Sequence, residues 1–211
     1  MEKELLNKTG TTTIGIVCKD GIVMASDRRV TMGNMIAGKK FQKITIINED
    51  TALTMAGLVS DAQLLTRIIT AQLRLDTIRR GKKPTTKEIA NLLASLVYGN
   101  IRKFSAIPGI VGFILGGRDE KGYHLYDIGV DGSTTEQDEF FSEGSGSEFA
   151  MGVLESGYNK DATVDEGIKL ILKALNSALQ RDTASGSGYD VVTITKDGAR
   201  KVLEKEIKFT V

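Results

Sequence analysis

The 211-residue chain is poor in the residues on which most hydrolytic and redox sites depend, with 1 cysteine, 1 histidine and no tryptophan. The single Cys18 cannot form an internal disulfide, and its apolar neighbours predict a buried, unreactive thiol. His124 lies in an alternating stretch after a turn, which is typical of a histidine on a strand surface. One cysteine and one histidine cannot build the usual zinc site, and a Ser-His-Asp or Cys-His set would have to use His124. The composition therefore predicts no metal site, and an enzyme would need a base other than histidine.

Long apolar runs, phosphate-binding loops and an excess of charge are also missing. No segment approaches the ~18 apolar residues of a membrane span, and residues 1–10 lack the apolar core of a signal peptide. The Gly/Ser segment 144–147 lacks the lysine of a phosphate loop. The net charge is only +1, from 28 basic and 27 acidic residues, which does not favour nucleic acid. We therefore expect a cytoplasmic protein with no cofactor and no nucleic-acid or membrane partner.

The hydrophobic pattern changes period four times along the chain. Period-2 segments predict strands over 12–18, 22–26, 42–47, 51–58, 110–115, 123–128, 133–141, 191–195 and 201–207. Period-3.6 segments predict a helix from a capping box at Ser60 to Gly81, a second helix from Thr85, a third over 147–157 and a fourth from Thr163. The order is strands, two helices, strands, two helices, strands.

Grouped strands and helices of this kind indicate an α+β fold with antiparallel sheets rather than a parallel βαβ winding. Two sheets packed face to face, each covered by one helix pair, would bury every apolar stripe. At 211 residues, 41% of them hydrophobic, the chain suits one domain with a sizeable core.

The segment Gly10-Thr11-Thr12-Thr13 is the most informative local feature. If the bond between Gly10 and Thr11 is cut, Thr11 gains a free α-amine, whose pKa of about 7.7 to 8.0 lets it serve as a base for the hydroxyl of the same residue. The ordinary alternative is that three β-branched threonines simply open a strand. The rest of the chain must decide between the two.

Further candidates lie at predicted strand and helix ends. Asp27 ends the second strand, and a Lys43 ammonium paired with it would lower the pKa of a nearby hydroxyl or amine. Gly57 would let a backbone N–H approach a substrate oxygen. Ser145 and the Gly/Ser loop 181–188 are further candidates. Each candidate has an ordinary alternative. Asp27 and Lys43 could be surface charges, Gly57 a turn glycine, Ser145 part of a capping box with Glu148, and the loop a helix end.

The combination of these segments in this order resembles the proteasome β subunits, most closely the archaeal type. The resemblance rests on Gly-Thr-Thr-Thr, Asp-Arg-Arg at 27–29, Lys43, Ala-Gly at 56–57, Gly-Ser-Gly-Ser at 144–147 and Arg-Asp-x-x-Ser-Gly at 181–186. Asp61-Ala62-Gln63 and the segment 152–156 also match. It spans Thr11 to about Thr195 without large gaps.

The resemblance implies the N-terminal nucleophile hydrolase fold, an αββα sandwich, and a threonine-type endopeptidase. The family's catalytic threonine corresponds to Thr11, and the lysine that tunes this nucleophile corresponds to Lys43. The carboxylate that holds the lysine corresponds to Asp27, and the oxyanion-hole glycine to Gly57. The residues that position the threonine amine and a water correspond to Ser145, Asp182 and Ser185. Val30 and Met55 fall where the family lines its specificity pocket, which implies a preference for an apolar residue on the acyl side of the cleaved bond.

The resemblance also gives residues 1–10 the role of a propeptide, removed by self-cleavage between Gly10 and Thr11, and leaves residues 11–211 as the catalytic domain. We expect Gly10, which has no Cβ, to let the backbone bend so that the Thr11 hydroxyl reaches the preceding carbonyl. The full-length chain is then expected to be an inactive zymogen.

The resemblance also implies a heptameric β ring stacked on a second ring, capped by α subunits and fed with unfolded proteins by an ATP-dependent unfoldase. Two alternatives remain at this point. The chain could be a non-catalytic structural ring subunit of the same fold, which the presence of Thr11, Asp27 and Lys43 disfavours. It could also be an amidase of small amides, which the two Gly/Ser loops disfavour.

Overall fold

Two five-stranded antiparallel sheets form the centre of the computed structural model, which describes residues 10–207. All of the predicted leader except Gly10 therefore lies outside the described residues. In spatial order, the first sheet contains β10 (Phe140–Glu143), β1 (Thr13–Cys18), β2 (Gly21–Asp27), β11 (Gly188–Thr195) and β12 (Gly198–Glu206). The second contains β5 (Ile44–Asn48), β6 (Thr51–Gly57), β7 (Val111–Asp119), β8 (Gly122–Ile128) and β9 (Thr134–Gln137).

Two helix pairs cover the outer faces of these sheets. The helices α1 (Val59–Arg80) and α2 (Thr86–Ile101) bury their apolar faces against the second sheet. The helices α3 (Ser147–Gly157) and α4 (Val164–Arg181) cover the first sheet in the same way. A third apolar cluster lies between the sheets: Ile22, Met24, Ile44, Ala52, Ile114, Leu125, Val192 and Ile194. The predicted α+β fold, a four-layer αββα sandwich, is confirmed.

Local sequence signals place most helix ends correctly. Thr85 and Thr163 each cap a helix, and each accepts a bond from the backbone N–H of the glutamate three residues later. Gly81 ends α1 with a φ of 65°, in the left-handed region that glycine adopts without steric cost. The capping box predicted at Ser60 is wrong, because α1 begins at Val59 and the Ser60 hydroxyl donates to Asp61 instead.

Two features of the strands differ from the prediction. The segment 133–141, predicted as one strand, contributes to two: β9 pairs with β8 in the second sheet, and β10 pairs with β1 in the first. A β-compatible composition cannot signal where a chain leaves one sheet for another. The prediction also misses a separate hairpin, β3 (Val30–Met32) and β4 (Met35–Gly38), which begins three residues after Asp27.

Candidate functional site

Thr11 lies two residues before the start of β1, and only 4% of it is exposed. Its backbone N–H donates to the Ser145 hydroxyl at 3.3 Å. Its own hydroxyl donates to the Gly10 carbonyl oxygen at 2.7 Å. In this uncleaved chain the Thr11 nitrogen is an amide, so it cannot act as a base.

A buried ion pair lies beside this threonine. Lys43 Nζ is 2.7 Å from Asp27 Oδ1, with the lysine side chain 3% and the aspartate 0% exposed. The same ammonium donates to the Gly10 carbonyl oxygen at 3.1 Å. Asp27 comes from the end of β2, and Lys43 directly precedes β5, so each sheet supplies one partner. The alternative of two independent surface charges is therefore wrong.

The Asp27 carboxylate has four hydrogen-bond donors, which offset its removal from water. Oδ1 accepts from Lys43 and from the Thr12 backbone N–H, the latter at 3.0 Å. Oδ2 accepts from the backbone N–H groups of Arg29 at 2.9 Å and Gly186 at 3.0 Å. The carboxylate thus ties together the start of β1, the end of β2 and the loop before β11.

Burial lowers the pKa of the Lys43 ammonium below its ordinary value of 10.5, since a charged group in an apolar site loses hydration. The charge and the hydrogen bond of Asp27 act in the opposite direction and limit the decrease. The lysine therefore gives up its proton more readily than a surface lysine. Its ammonium contacts the carbonyl group of the peptide bond that precedes Thr11.

A second polar network, formed by Ser145, Asp182 and Ser185, lies beside the backbone nitrogen of Thr11. The hydroxyls of Ser145 and Ser185 each donate to Asp182 Oδ2 at 2.6 Å. Ser185 Oγ also lies 2.6 Å from Thr12 Oγ1. Because each serine has one proton and gives it to Asp182, Ser145 accepts from the Thr11 N–H and Ser185 accepts from Thr12. Ser145 therefore contacts the Thr11 nitrogen directly, and Asp182 links Ser145 to Ser185, which contacts Thr12.

Ser145 contacts Thr11 and Asp182 instead of capping a helix with Glu148, the alternative that the sequence suggests. The residue that caps α3 is Gly146, and no side chain makes a capping bond there. The Ser145–Glu148 capping box is therefore absent, and the serine hydroxyl is used for the contact with Thr11 and Asp182. Asp182 itself follows α4 directly as its C-terminal cap residue.

A small pocket opens beside Thr11. The predicted residues Val30, Met55 and Gly57 all line it, together with Gly10 and Thr11. Gly57 has a φ of 111°, and an added Cβ would lie 2.4 Å from the Ile110 carbonyl oxygen, so no other residue fits without strain. Lys43 also lines the pocket, with four residues that sequence reasoning did not place there: Thr31, Phe41, Val59 and Ala62. Thr31 lies in the missed hairpin and Phe41 three residues beyond its end, where no periodic pattern indicates them.

The structure gives a further reason for glycine at position 10. An added Cβ there would lie 1.7 Å from the Ala184 side chain. Close contact with the loop before β11 therefore demands a residue without a side chain. The predicted outcome holds, since the Thr11 hydroxyl does reach the Gly10 carbonyl oxygen.

The two residues set aside by composition lie outside this site. Cys18 is buried at the end of β1, and burial raises the pKa of its thiol to about 12, which agrees with the predicted unreactive thiol. His124 lies on β8 between two carboxylates, with Nδ1 2.7 Å from Glu136 and Nε2 3.3 Å from Asp119. Within residues 10–207, no helix is both long enough and apolar enough to cross a membrane.

Comparison with known proteins gives consistent matches over nearly the whole chain. A family model described as "Proteasome subunit" matches residues 7–194. The "Proteasome subunit beta" of Archaeoglobus profundus is 45% identical over 198 residues, which cover 94% of this chain and 90% of that protein. The proteins of the same name from Ferroglobus placidus and Methanocaldococcus fervens are 44% and 42% identical, cover 94% of this chain, and are themselves covered over 93% and 88%.

Proposed function

The chain belongs to the proteasome subunit family as a β subunit, a threonine-type endopeptidase, and from this premise we propose that Thr11 is its nucleophile once the leader is removed. One observation carries the proposal. The Thr11 hydroxyl and the Lys43 ammonium both donate to the Gly10 carbonyl oxygen. Nucleophile, cationic group and a cleavable carbonyl are thus already together.

We propose that peptide hydrolysis proceeds through an ester. The Thr11 hydroxyl adds to the substrate carbonyl carbon while its proton passes to the free α-amine of the same residue. That proton then goes to the leaving amine, and water hydrolyses the ester to release the acyl group and restore the hydroxyl. The Lys43 ammonium, held by Asp27, favours the less positive state of its neighbours. Ser145, Asp182 and Ser185 orient the amine and a water.

The N–H of Gly57 is the proposed oxyanion donor. Its position in the pocket beside Thr11, and a backbone conformation that excludes other residues, support this role. One such donor is worth roughly 3 to 4 kcal/mol in the transition state. The same pocket is lined by Val30 and Met55, which supports a preference for an apolar residue on the acyl side of the cleaved bond.

We further propose that residues 1–10 are a propeptide and that the chain matures by self-cleavage. The Thr11 hydroxyl adds to the Gly10 carbonyl carbon, and the bond to the Thr11 nitrogen breaks as that nitrogen gains a proton. Water then hydrolyses the resulting ester, which leaves the leader ending in a Gly10 carboxylate and residues 11–211 beginning with a free amine. The hydrogen bond from the Thr11 hydroxyl to the carbonyl supports this route.

A β subunit of this family assembles with α and β subunits in the 20S core. We propose the family's arrangement in detail: two stacked heptameric β rings in the cytoplasm, capped by α rings and supplied with unfolded proteins by an ATP-dependent unfoldase. Exposed apolar residues along one helix support such contacts, since α1 presents Leu64, Ile68, Leu75 and Ile78 on its surface. Large exposed apolar patches are typical of interaction surfaces.

The experiment is a fluorogenic peptide assay on assembled particles, with and without an epoxyketone that reacts with N-terminal threonine. We expect activity that the inhibitor removes, an intact mass that begins at Thr11, and no activity in Thr11→Ala. A Thr11→Ala particle that cleaves peptides at the wild-type rate would refute the assignment. A non-catalytic structural subunit, the alternative, would be inactive in both forms and would retain residues 1–10.

A further inference from the structure

Thr31 holds the residue that precedes the proposed cleavage point. Its hydroxyl oxygen accepts a hydrogen bond from the Gly10 backbone N–H at 3.1 Å, and the pair is buried. Thr31 belongs to β3, in the hairpin that the sequence pattern did not indicate, and only 7% of it is exposed. We propose that Thr31 is a positioning residue for self-cleavage between Gly10 and Thr11, an inference that rests on the proposed maturation.

Gly10 is held on three sides. Its carbonyl oxygen accepts from Thr11 and Lys43, at 2.7 Å and 3.1 Å. Its Cα lies so close to Ala184 that no side chain could be added. The hydrogen bond to Thr31 fixes the remaining polar group, the N–H. With both ends of the residue bonded, the plane of its carbonyl has a fixed orientation toward the Thr11 hydroxyl.

The position of this contact separates two openings beside Thr11. Gly10 and Thr31 both line the apolar pocket that contains Val30 and Met55. They also line the neighbouring groove, which contains Ser145 and Ala184. The hydrogen bond between them therefore lies at the boundary between the pocket and the groove.

The contact is specific to the uncleaved chain. Gly10 is the last residue of the proposed leader, so its N–H leaves the site with the leader once the ester is hydrolysed. The hydrogen bond between Gly10 and Thr31 can then no longer form. Thr31 thus stabilises the geometry of the self-cleavage step through a group that the mature subunit does not possess.

Removal of the hydroxyl should slow maturation measurably. Valine keeps the β-branched shape but leaves the buried Gly10 N–H without its acceptor, and the loss of one such bond slows a step that depends on it by about 10-fold. Misorientation of a reacting carbonyl adds to this effect, because intramolecular reactions depend strongly on alignment. Serine keeps the hydroxyl and should restore most of the rate.

Thr54 provides a matched control. Like Thr31, it is a buried threonine whose hydroxyl accepts a hydrogen bond from a backbone N–H, that of Ile114 at 3.2 Å, but it lies on β6. The change Thr54→Val removes the same kind of bond from the fold. Any slowing due to general destabilisation should appear in this variant as well as in Thr31→Val.

The test follows leader loss by intact mass over time in the full-length chain, co-expressed with its α subunit, for wild type, Thr31→Val, Thr31→Ser and Thr54→Val. We expect Thr31→Val to process about 10-fold more slowly, and Thr31→Ser and Thr54→Val to process within about threefold of wild type. The same variants are also produced directly with Thr11 at the N-terminus. There, Thr31→Val should lose less peptidase activity than processing rate.

The possible outcomes separate a failure of the proposed self-cleavage from a failure of the proposed role of Thr31. If the wild type never loses its leader, the proposed maturation fails. If the wild type processes and Thr31→Val processes equally fast, the positioning role fails alone. Equal losses in processing and in peptidase activity of the leaderless form would mean a general structural role and would also overturn the inference, as would an equal effect of Thr54→Val.

Discussion

Replacement of Asp27 by asparagine tests the central ion pair with almost no change in shape. The wild-type carboxylate accepts from Lys43, from Thr12 and, through its other oxygen, from the backbone N–H groups of Arg29 and Gly186. Asparagine has one acceptor oxygen and a donor amide in place of the second. Its amide group would therefore face two of these donors, whichever way the side chain is turned.

The free-energy cost of Asp27→Asn follows from the burial of the Asp27–Lys43 ion pair. The Lys43 and Asp27 side chains are 3% and 0% exposed, so loss of the carboxylate leaves an ammonium without a charged partner inside the protein. Removal of one partner of a buried pair costs about 3 to 5 kcal/mol. For a chain of this size, each kcal/mol lowers the unfolding midpoint by roughly 2 to 4 °C. We expect the midpoint to fall by about 6 to 20 °C.

The pH dependence of activity should change in a defined direction. Burial lowers the pKa of Lys43, and the charge of Asp27 counteracts this effect. Without the carboxylate the pKa of Lys43 falls further, so the ammonium is lost at a lower pH. With the ammonium as the active form, wild-type activity declines as the pH rises through the Lys43 pKa. The activity of Asp27→Asn should decline at a lower pH. This variant should also lose about 10²-fold or more in kcat.

The assay combines thermal unfolding with a pH profile of kcat for a fluorogenic peptide. Asp190→Asn is the matched control, because Asp190 is also buried and paired, with Lys201 at 3.2 Å, but does not contact Thr11 or Lys43. We expect Asp190→Asn to lower the unfolding midpoint and to leave the pH profile in place. An Asp27→Asn protein with the stability and pH profile of wild type would refute the argument.

Three further predictions concern the leader, the core and the pocket. Gly10→Ala places a methyl group 1.7 Å from Ala184 and should block processing, so that intact mass shows residues 1–10 still attached. Burial raises the pKa of Glu143 from 4.5 to about 8; its protonated form favours the fold, and this stabilisation, complete below pH 4.5, is lost as the pH rises to about 8. In urea unfolding, Glu143→Gln should match wild type near pH 4.5 and exceed it at pH 8, whereas equal stability at both would contradict the assignment. Val30→Phe should fill the pocket and shift the ratio of kcat/KM for alanyl over leucyl substrates by about 10-fold or more, and an unchanged ratio would exclude Val30 from the pocket's specificity.

Local signals in the sequence were sufficient for most of the fold. The capping boxes at Thr85 and Thr163 and the left-handed Gly81 each depend on residues within a few positions of one another, so they can be read without a tertiary structure. The split of segment 133–141 between two sheets could not be read in this way, because strand pairing depends on partners more than 100 residues away, as in β10 with β1. The short hairpin after Arg28 is too brief to show a period.

In the site, too, some residues could be predicted from local sequence and others depend on contacts with distant residues. Asp27 and Lys43 could be suggested as a pair because charged residues at strand ends are recognisable, and their burial then follows from the packing of the sheets. Thr31 and Ala184 could not be suggested, since each acts through contact with Gly10 across 21 and 174 positions of chain respectively. A threonine on a strand and an alanine in a loop have no chemical signature of their own.

The division of the site between two sheets has a mechanical consequence. Thr11 precedes β1 of the first sheet, whereas Lys43 directly precedes β5 and Gly57 ends β6 in the second sheet. The distance between the Thr11 hydroxyl and the Lys43 ammonium therefore depends on the thickness of the apolar layer that separates the sheets, which includes Met24 and Ile114. That layer acts as a spacer, and a change in its side-chain volume should alter the rate of peptide hydrolysis without touching a single catalytic group.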